Sequence, residues 1–212
     1  MGTQVAKRIR SRHTPAPESG VRQRIIGSAR RHFFAHGFRT VTMDDLADEL
    51  GMSKKTLYAF FPSKLELLRA VLLDKFRAVE TDLERAMTAA SRDVLAALHG
   101  LLACMQRHSE EIQAPFVRDM RREAPELFEV VQTRRRRLIQ RYFGKIFVDG
   151  RKAGIIRKDV STRLMIEMLV GVTESIMNPA KMAELGLTPA AGYASIITVM
   201  LEGLLTEKGR SR

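Results

Sequence analysis

The sequence contains a single cysteine and no apolar stretch long enough to cross a bilayer. Cys104 has no second cysteine with which to form an intrachain disulfide, so we expect the reducing cytoplasm as its compartment. The longest apolar runs, in the final third, are interrupted by charges such as Glu167 and Glu202, which argues against a membrane span. The basic N-terminus is not followed by the apolar run of a secretory signal. These absences favour a soluble, cytoplasmic protein.

The sequence patterns of common enzymes are also missing. We find no phosphate-binding loop and no spaced set of metal ligands or catalytic triad residues. His32 and His36 are four residues apart, as are Cys104 and His108, and such pairs could bind a metal or, in the second case, act as nucleophile and base. We expect the first pair to lie on the surface and the second to serve in packing. The sequence therefore predicts neither an enzyme nor a bound cofactor or metal.

The composition indicates a helical protein with a polyanionic partner. Of the 212 residues, 45% are hydrophobic, and the net charge of +12 favours nucleic acid as the partner. No sustained alternation of apolar and polar residues suggests a sheet, and no internal repeat is present. The apolar spacing, with possible caps at Ser91, Ser109 and Thr188 and a stop at Gly154, predicts nine helices. They cover residues 21–36, 42–50, 53–61, 63–89, 92–108, 110–122, 125–153, 159–178 and 189–206.

The segment of residues 42–67 is the most informative part of the chain. The Thr42 hydroxyl and the Asp45 carboxylate can form a capping box that starts a short helix, and Gly51 can end that helix in a left-handed conformation. Ser53 can cap a second short helix two residues later. Two helices joined by about three residues form a helix-turn-helix, whose second helix lies in the major groove of DNA.

The second helix of this motif carries the side chains that DNA recognition requires. Hydroxyl-bearing and cationic side chains lie at its N-terminal end, where they can reach phosphates and base edges. Its inward positions, Leu57 and Phe61, are apolar. The candidate DNA-binding residues of this helix are Ser53, Lys54, Lys55, Thr56 and Tyr58.

The motif resembles the signature of the tetracycline-repressor (TetR-type) family of bacterial transcription regulators. In that family a Thr opens the second helix of the chain, an Ala-x-x-x-Gly-x-Ser run forms the turn, and Thr-Leu-Tyr-x-x-Phe-x-Ser-Lys follows. The matching residues are Thr42, Ala47, Gly51, Ser53, Thr56, Leu57, Tyr58, Phe61, Ser63 and Lys64. The resemblance implies phosphate contacts from Thr42, Tyr58 and Lys64. It also implies that Lys54, Lys55 and Thr56 lie at the groove surface.

Two positions depart from the family pattern, because Lys55 stands where many members have Gly and Phe60 where many have His. The base preference of a relative therefore should not be transferred to this chain. The resemblance implies an all-α, nine-helix architecture with a helix-turn-helix domain at residues 21–68 and an effector-binding and dimerisation domain at 69–212. Residues 1–20 are basic and polar, which is typical of a disordered tail or of an arm that follows phosphates or enters the minor groove.

The middle helices would hold a regulatory ligand. Their apolar and aromatic side chains are of the kind that lines small-molecule pockets, although the same residues could simply fill the core. A helical wheel places Arg135 about 40° from Val131 on the same side, beside the apolar stripe. Arg135 could pair with a Glu, extend to the surface, or receive an anionic group of the effector. The candidate pocket residues are Phe76, Leu101, Cys104, Met105, His108, Phe116, Met120, Phe128, Arg135 and Tyr142.

The last two predicted helices carry apolar stripes that would suit either an intrasubunit core pair or a four-helix dimer interface. The family resemblance favours the dimer, since two-fold symmetry would present two reading helices to a palindromic site. Gly171 and Gly203 would allow a close approach of backbones. The candidate interface residues are Met165, Leu169, Val172, Ile176, Ile197, Met200, Leu201 and Leu204.

Together these features predict a dimeric, double-stranded-DNA-binding regulator, most often a repressor in this family, that a small molecule releases from its operator. A regulator controlled by its abundance or by a protein partner is the alternative. An enzyme that carries a DNA-targeting module is a third possibility, and no sequence feature supports it.

Overall fold

The computed structural model describes residues 18–90, 93–177 and 179–211 of the chain. Within these ranges the regular secondary structure consists of eleven helices, with no strand beyond an isolated bridge between Ile156 and Leu205. The helices are α1 (Glu18–His36), α2 (Met43–Glu49), α3 (Lys54–Phe60), α4 (Lys64–Ala89), α5 (Val94–Glu110), α6 (Ala114–Glu123), α7 (Pro125–Lys152), α8 (Thr162–Ile176), α9 (Pro179–Glu184), α10 (Pro189–Leu204) and α11 (Glu207–Arg210).

The all-α prediction is confirmed, and the predicted number of nine helices is too low for the described ranges. The two additional helices, α9 and α11, have six and four residues, which is too short for an apolar period to be recognised. Thr206 caps α11 by accepting a hydrogen bond from the Gly209 amide at 3.2 Å.

Several predicted helix ends are corrected by the capping geometry. Ser109 does not cap a helix, because it lies within α5 and its hydroxyl donates to the Met105 carbonyl at 2.8 Å. The next helix begins at Ala114 rather than at residue 110, and Pro115, which lacks an amide hydrogen, fits its first turn. Asp93 caps α5, whereas the predicted cap Ser91 lies outside the described residues. Ser161 caps α8, which therefore starts after the predicted residue 159.

The predicted helix-turn-helix is formed by α2 and α3. The Thr42 hydroxyl accepts the Asp45 amide at 3.1 Å while the Asp45 carboxylate accepts the Thr42 amide at 3.0 Å, which completes the capping box. Gly51 ends α2 with φ of +63°, and the Ser53 hydroxyl accepts the Thr56 amide at 3.1 Å to start α3. The local signals in the sequence thus determine both the ends and the turn of the motif.

Two apolar clusters form the core. The first joins α1, α2, α3 and the start of α4 to α6 and the start of α7, and it includes Phe34, Leu57, Phe116 and Met120. The second lies among the rest of α4, α5, α7, α8 and α10. Because α4 and α7 contribute to both clusters, the two cores are joined by continuous helices. No helix in the described ranges is both long and apolar enough to span a membrane.

Helix α6 is fastened to the turn between α1 and α2. Asp119 on α6 is only 6% exposed, and its carboxylate accepts the Arg39 backbone amide at 2.9 Å. Ahead of α6, the Gln113 amide donates to the Phe34 carbonyl at 3.0 Å. These two bonds hold the end of α1 against α6, and Gly37 lies directly beside the Asp119 carboxylate.

We predict that Gly37→Ala destabilises the fold. Gly37 has φ of +94°, and a Cβ atom there would lie 2.5 Å from Asp119 Oδ2, so both backbone strain and a clash oppose the substitution. We expect a loss of roughly 1–3 kcal/mol in the free energy of unfolding, measured by urea titration. Gly27→Ala, within α1, is the matched control, because nothing lies within 4 Å of its Cβ position. It should stabilise by roughly 0.5–1 kcal/mol, and equal effects of the two variants would contradict this account.

Candidate nucleic-acid interface and internal cavity

Helix α3 presents a basic, hydroxyl-bearing surface. Leu57 is fully buried and fixes the inner face of α3, whereas Lys54, Lys55 and Thr56 are exposed and Tyr58 is 45% exposed. Lys54 pairs with Asp44 at 2.6 Å, and this hydrogen bond raises the Lys54 pKa. Lys55 makes no hydrogen bond or ion pair with any described residue. Of the two lysines of α3, Lys55 therefore has the amine that is free to contact a phosphate or a base.

Lys64 holds the turn before α2. Its amine donates to the Val41 carbonyl at 2.7 Å and to the Arg39 carbonyl at 3.2 Å, and it lies 4.7 Å from the centre of the Phe38 ring. Burial lowers the Lys64 pKa. Lys64 therefore has a structural task in addition to the phosphate contact that the family resemblance implies.

A cavity of about 180 Å³ lies among the middle helices. Most of its wall is apolar and aromatic, and every helix from α4 to α10 contributes, together with Phe34 of α1. Seven of the ten candidate pocket residues line it: Phe76, Met105, His108, Phe116, Met120, Phe128 and Arg135. The other three, Leu101, Cys104 and Tyr142, are buried in the second core cluster instead. The spacing of apolar residues along one helix cannot distinguish a cavity wall from the packed core behind it.

The sequence interpretation missed Lys75, which lines the cavity and is 5% exposed. Its amine contacts Glu111 at 3.0 Å and His108 Nδ1 at 2.9 Å, and burial lowers its pKa. The signal was present, because Lys75 stands four residues after Val71 and four before Val79 on the apolar face of α4. A helical wheel of the kind drawn for Arg135 would have identified it.

His108 links this lysine to Asp82. Its Nε2 atom lies 3.0 Å from Asp82 Oδ2, and burial together with the nearby Lys75 ammonium lowers the His108 pKa. A neutral imidazole that carries its proton on Nε2 satisfies both neighbours, since it donates to Asp82 and accepts from Lys75. Lys75, His108 and Asp82 therefore form one hydrogen-bonded chain beside the cavity.

The ligand atoms of Asp82, Cys104 and His108 all lie within 4.8 Å of one another, so these residues could hold a metal ion. Asp82 is a third possible ligand beside Cys104 and His108, and the sequence analysis did not identify it. Both ring nitrogens of His108 already have partners, and burial raises the Cys104 pKa, which favours the thiol over the metal-binding thiolate. The local chemistry therefore favours the hydrogen-bonded chain. His32, the other histidine considered, pairs with Glu49.

Arg135 projects into the cavity wall from α7. Among the buried side-chain nitrogen and oxygen atoms of described residues, its Nη2 is the one without a hydrogen-bond partner. Glu174 also lines the cavity but forms no hydrogen bond with Arg135. The expectation that a Glu side chain from a neighbouring helix satisfies this arginine is therefore not met at Nη2.

The candidate interface residues of α8 and α10 lie mostly within the subunit. Met165, Leu169 and Leu204 are buried in the second core cluster, and Val172, Ile176 and Met200 are half-buried against it. The side chains of Ile197 and Leu201 lie outside the described residues. The exposed apolar residues of these helices are Leu164 at 47%, Met168 at 48% and Val199 at 72%.

This geometry defines an all-α DNA-binding protein with a helix-turn-helix head and a cavity-bearing helical body. The family described as bacterial regulatory proteins, tetR family, matches residues 25–71. Over 95 residues the chain is 35% identical to the HTH-type transcriptional regulator SrpR of Pseudomonas putida and, separately, to the uncharacterised regulator TtgW of the same species. Each match covers 42% of this chain, and the matches span 45% of SrpR and 71% of TtgW. The chain belongs to the TetR family of DNA-binding transcriptional regulators.

Solved structures extend the likeness to nearly the whole fold. A TetR transcription regulator from Haloarcula marismortui superposes with a TM-score of 0.72 at 18% identity, covering 89% of this chain and 100% of that one. A transcriptional regulator from Saccharomonospora viridis, solved in complex with choline, gives a TM-score of 0.68 at 19% identity, with coverages of 90% and 100%. At these identities the likeness establishes the shared fold.

Proposed function

We propose that the protein is a cytoplasmic, homodimeric repressor that a small molecule, held in the cavity, releases from a palindromic operator. The observation that carries this proposal is that the cavity and the core beneath the DNA-reading helices have side chains in common. Phe34, Phe116 and Met120 line the cavity and also belong to the core cluster on which α2 and α3 pack. A ligand that moves these side chains necessarily disturbs the support of the reading helix. The choline held by the Saccharomonospora viridis protein supports ligand binding in this fold.

The mechanism is a population shift between two arrangements of the helices. Ligand binds better to the arrangement in which α4 and α6 have moved, and the two reading helices of the dimer then no longer match their half-sites. Thermodynamic linkage requires the coupling to be reciprocal. Operator DNA therefore weakens ligand binding by the same factor by which ligand weakens operator binding.

A metabolite screen tests effector control. An effector at 100 times its dissociation constant should add about 2.7 kcal/mol to stability, which raises the melting temperature by roughly 5–10 °C. The same compound should release operator fragments selected from the source genome. Lys55→Ala is the control, because it should still bind the compound while it binds DNA more weakly. A silent screen would instead favour a regulator controlled by its abundance or by a protein partner.

We propose the exposed residues of the motif as the DNA contacts. Ser53, Lys54, Lys55 and Thr56 would face the groove, and Thr42, Tyr58 and Lys64 would contact phosphates. The free amine of Lys55 supports this assignment most directly, since the Lys54 amine is shared with Asp44. Residues 21–68 remain our proposed reading domain and 69–212 the effector and dimerisation domain. The proposed basic arm, residues 1–20, lies almost wholly outside the described residues.

Lys55→Ala should weaken operator binding by about tenfold or more and reduce the slope of log affinity against log salt by about 2, because the proposed dimer loses one contact in each subunit. Fluorescence anisotropy at several salt concentrations would measure both quantities. Tyr58→Phe should also weaken binding to all sequences, because it removes one hydroxyl contact. Lys64→Ala is less clean, since it also releases the turn before α2. Lys145→Ala, an exposed lysine of α7, is the matched control, and an equal loss in that variant would overturn the assignment of Lys55.

We propose that the dimer forms through the exposed faces of α8 and α10. Leu164, Met168 and Gly171 are exposed at helical spacing along α8, and Val199 and Gly203 are exposed four residues apart on α10. Nothing lies within 4 Å of a Cβ atom built at Gly171 or Gly203, so a partner helix could approach closely there. The buried stripe of Met165, Leu169 and Leu204 would support this surface from behind.

The double variant Leu164→Lys, Met168→Lys should convert a dimer into monomers, because four lysines would face one another across the two-fold axis. Sedimentation equilibrium measures the change, and operator affinity should fall by at least tenfold as the two half-sites are no longer bound together. Val130→Lys, which replaces a 49% exposed valine on α7, should remain dimeric. A double variant that stays dimeric would exclude this surface as the interface.

A further inference from the structure

The unpartnered nitrogen of Arg135 indicates which chemical class of molecule the cavity takes. Nη2 is buried, has no hydrogen-bond partner, and belongs to a residue that lines the cavity. A buried N–H group without a partner is unfavourable even on a half-buried arginine, because the folded chain has given up the water that would have bound it. An acceptor that enters the cavity would supply the missing partner.

The other charged residues around the cavity do not supply the missing partner of Arg135. Lys75 is already bound by Glu111 at 3.0 Å, and the Arg121 guanidinium lies 4.9 Å from the centre of the Phe128 ring. His108 is held neutral between Lys75 and Asp82, and Glu174 is the only acid among the lining residues. The wall thus carries an excess of positive charge. A cation would leave Arg135 unpaired, and a neutral acceptor would bond Nη2 without compensating the charge, whereas an anion would do both.

The remaining wall fits an apolar body. Aromatic rings from five residues and the sulfur atoms of four methionines surround the space, and such side chains adapt to flat or branched groups. Its volume of about 180 Å³ is similar to the roughly 150 Å³ of an apolar cavity that accommodates a benzene ring. The cavity therefore suits a compact molecule with one ring or a short branched chain.

We infer that the effector is a compact organic carboxylate, whose apolar body fills the cavity while its carboxylate accepts hydrogen bonds from Arg135. The planar guanidinium matches a carboxylate with two parallel hydrogen bonds, which an amide or an alcohol cannot reproduce. This inference rests on the proposed function, since it takes the cavity to be the effector site.

A panel of matched compounds tests the inference on the full chain. Benzoate, phenylacetate and 3-phenylpropanoate are compared with the corresponding amides and with benzylamine and phenethylamine, by calorimetry and by thermal shift. We expect the best carboxylate to bind at least tenfold more tightly than its own amide, and the amines not to bind. The same carboxylate should lower the affinity for operator DNA.

Variants at two neighbouring arginines locate the anion. Arg135→Met should weaken carboxylate binding at least tenfold, and Arg135→Lys should recover part of it. Arg137→Met is the matched control on the exposed side of α7 and should bind as the wild type does. Without ligand, Arg135→Met should melt at the same temperature as the wild type or higher, because it removes a buried N–H group that has no partner. That result would also show that the variant folds.

The outcomes separate this inference from the proposed function. Amides or amines that bind as well as carboxylates and still release the operator would overturn the carboxylate assignment and leave effector control intact. Unchanged carboxylate binding by Arg135→Met would overturn the role of Arg135. If no compound of any charge class, in this panel or in a broad metabolite library, bound the protein, both the inference and effector control would fall.

Discussion

The hydrogen bond between the Asp119 carboxylate and the Arg39 amide is the constraint on which the rest of the molecule depends. It fixes α6 to the turn from which α2 starts, and α2 carries the reading helix. Phe116, Val117 and Met120 of the same helix form part of the cavity wall. One helix of ten residues thus contacts both the ligand space and the base of the DNA-binding head.

A second set of polar contacts connects α1 to the helices at the edge of the cavity. Glu111, just after α5, accepts hydrogen bonds from Arg30 of α1 and forms an ion pair with Lys75 of α4. Arg30 also lies 3.7 Å from Asp74 on α4. Burial opposes ionisation of Glu111, but the hydrogen bonds from Arg30 and Lys75 outweigh it and lower the Glu111 pKa. The lowered pKa favours the ionised form of Glu111, and the cluster joins three helices at the edge of the cavity.

The sequence was sufficient for the ends of the helix-turn-helix, which are decided within a few residues, although the cap predicted at Ser109 was wrong. The capping box of Thr42, the positive φ of Gly51 and the cap at Ser53 all follow from local chemistry, and each appears as predicted. Features decided by packing between helices were not predictable in the same way. Asp82 meets His108 across 26 residues of sequence, and which side of α8 faces the core depends on helices far away in the chain. The interface candidates were therefore selected mostly from the sides of α8 and α10 that face the core.

The continuity of α4 sets how far a movement at the cavity is transmitted to the DNA-reading head. Lys64 at its start lies beside the reading head, and Lys75 borders the cavity. Eleven residues of helix separate them, which is roughly 17 Å, so a tilt of roughly 10° about the cavity displaces Lys64 by roughly 3 Å. One base-pair step of DNA is about 3.4 Å long. In the proposed mechanism, a tilt of that size would therefore shift the start of α4 by almost one step of the duplex.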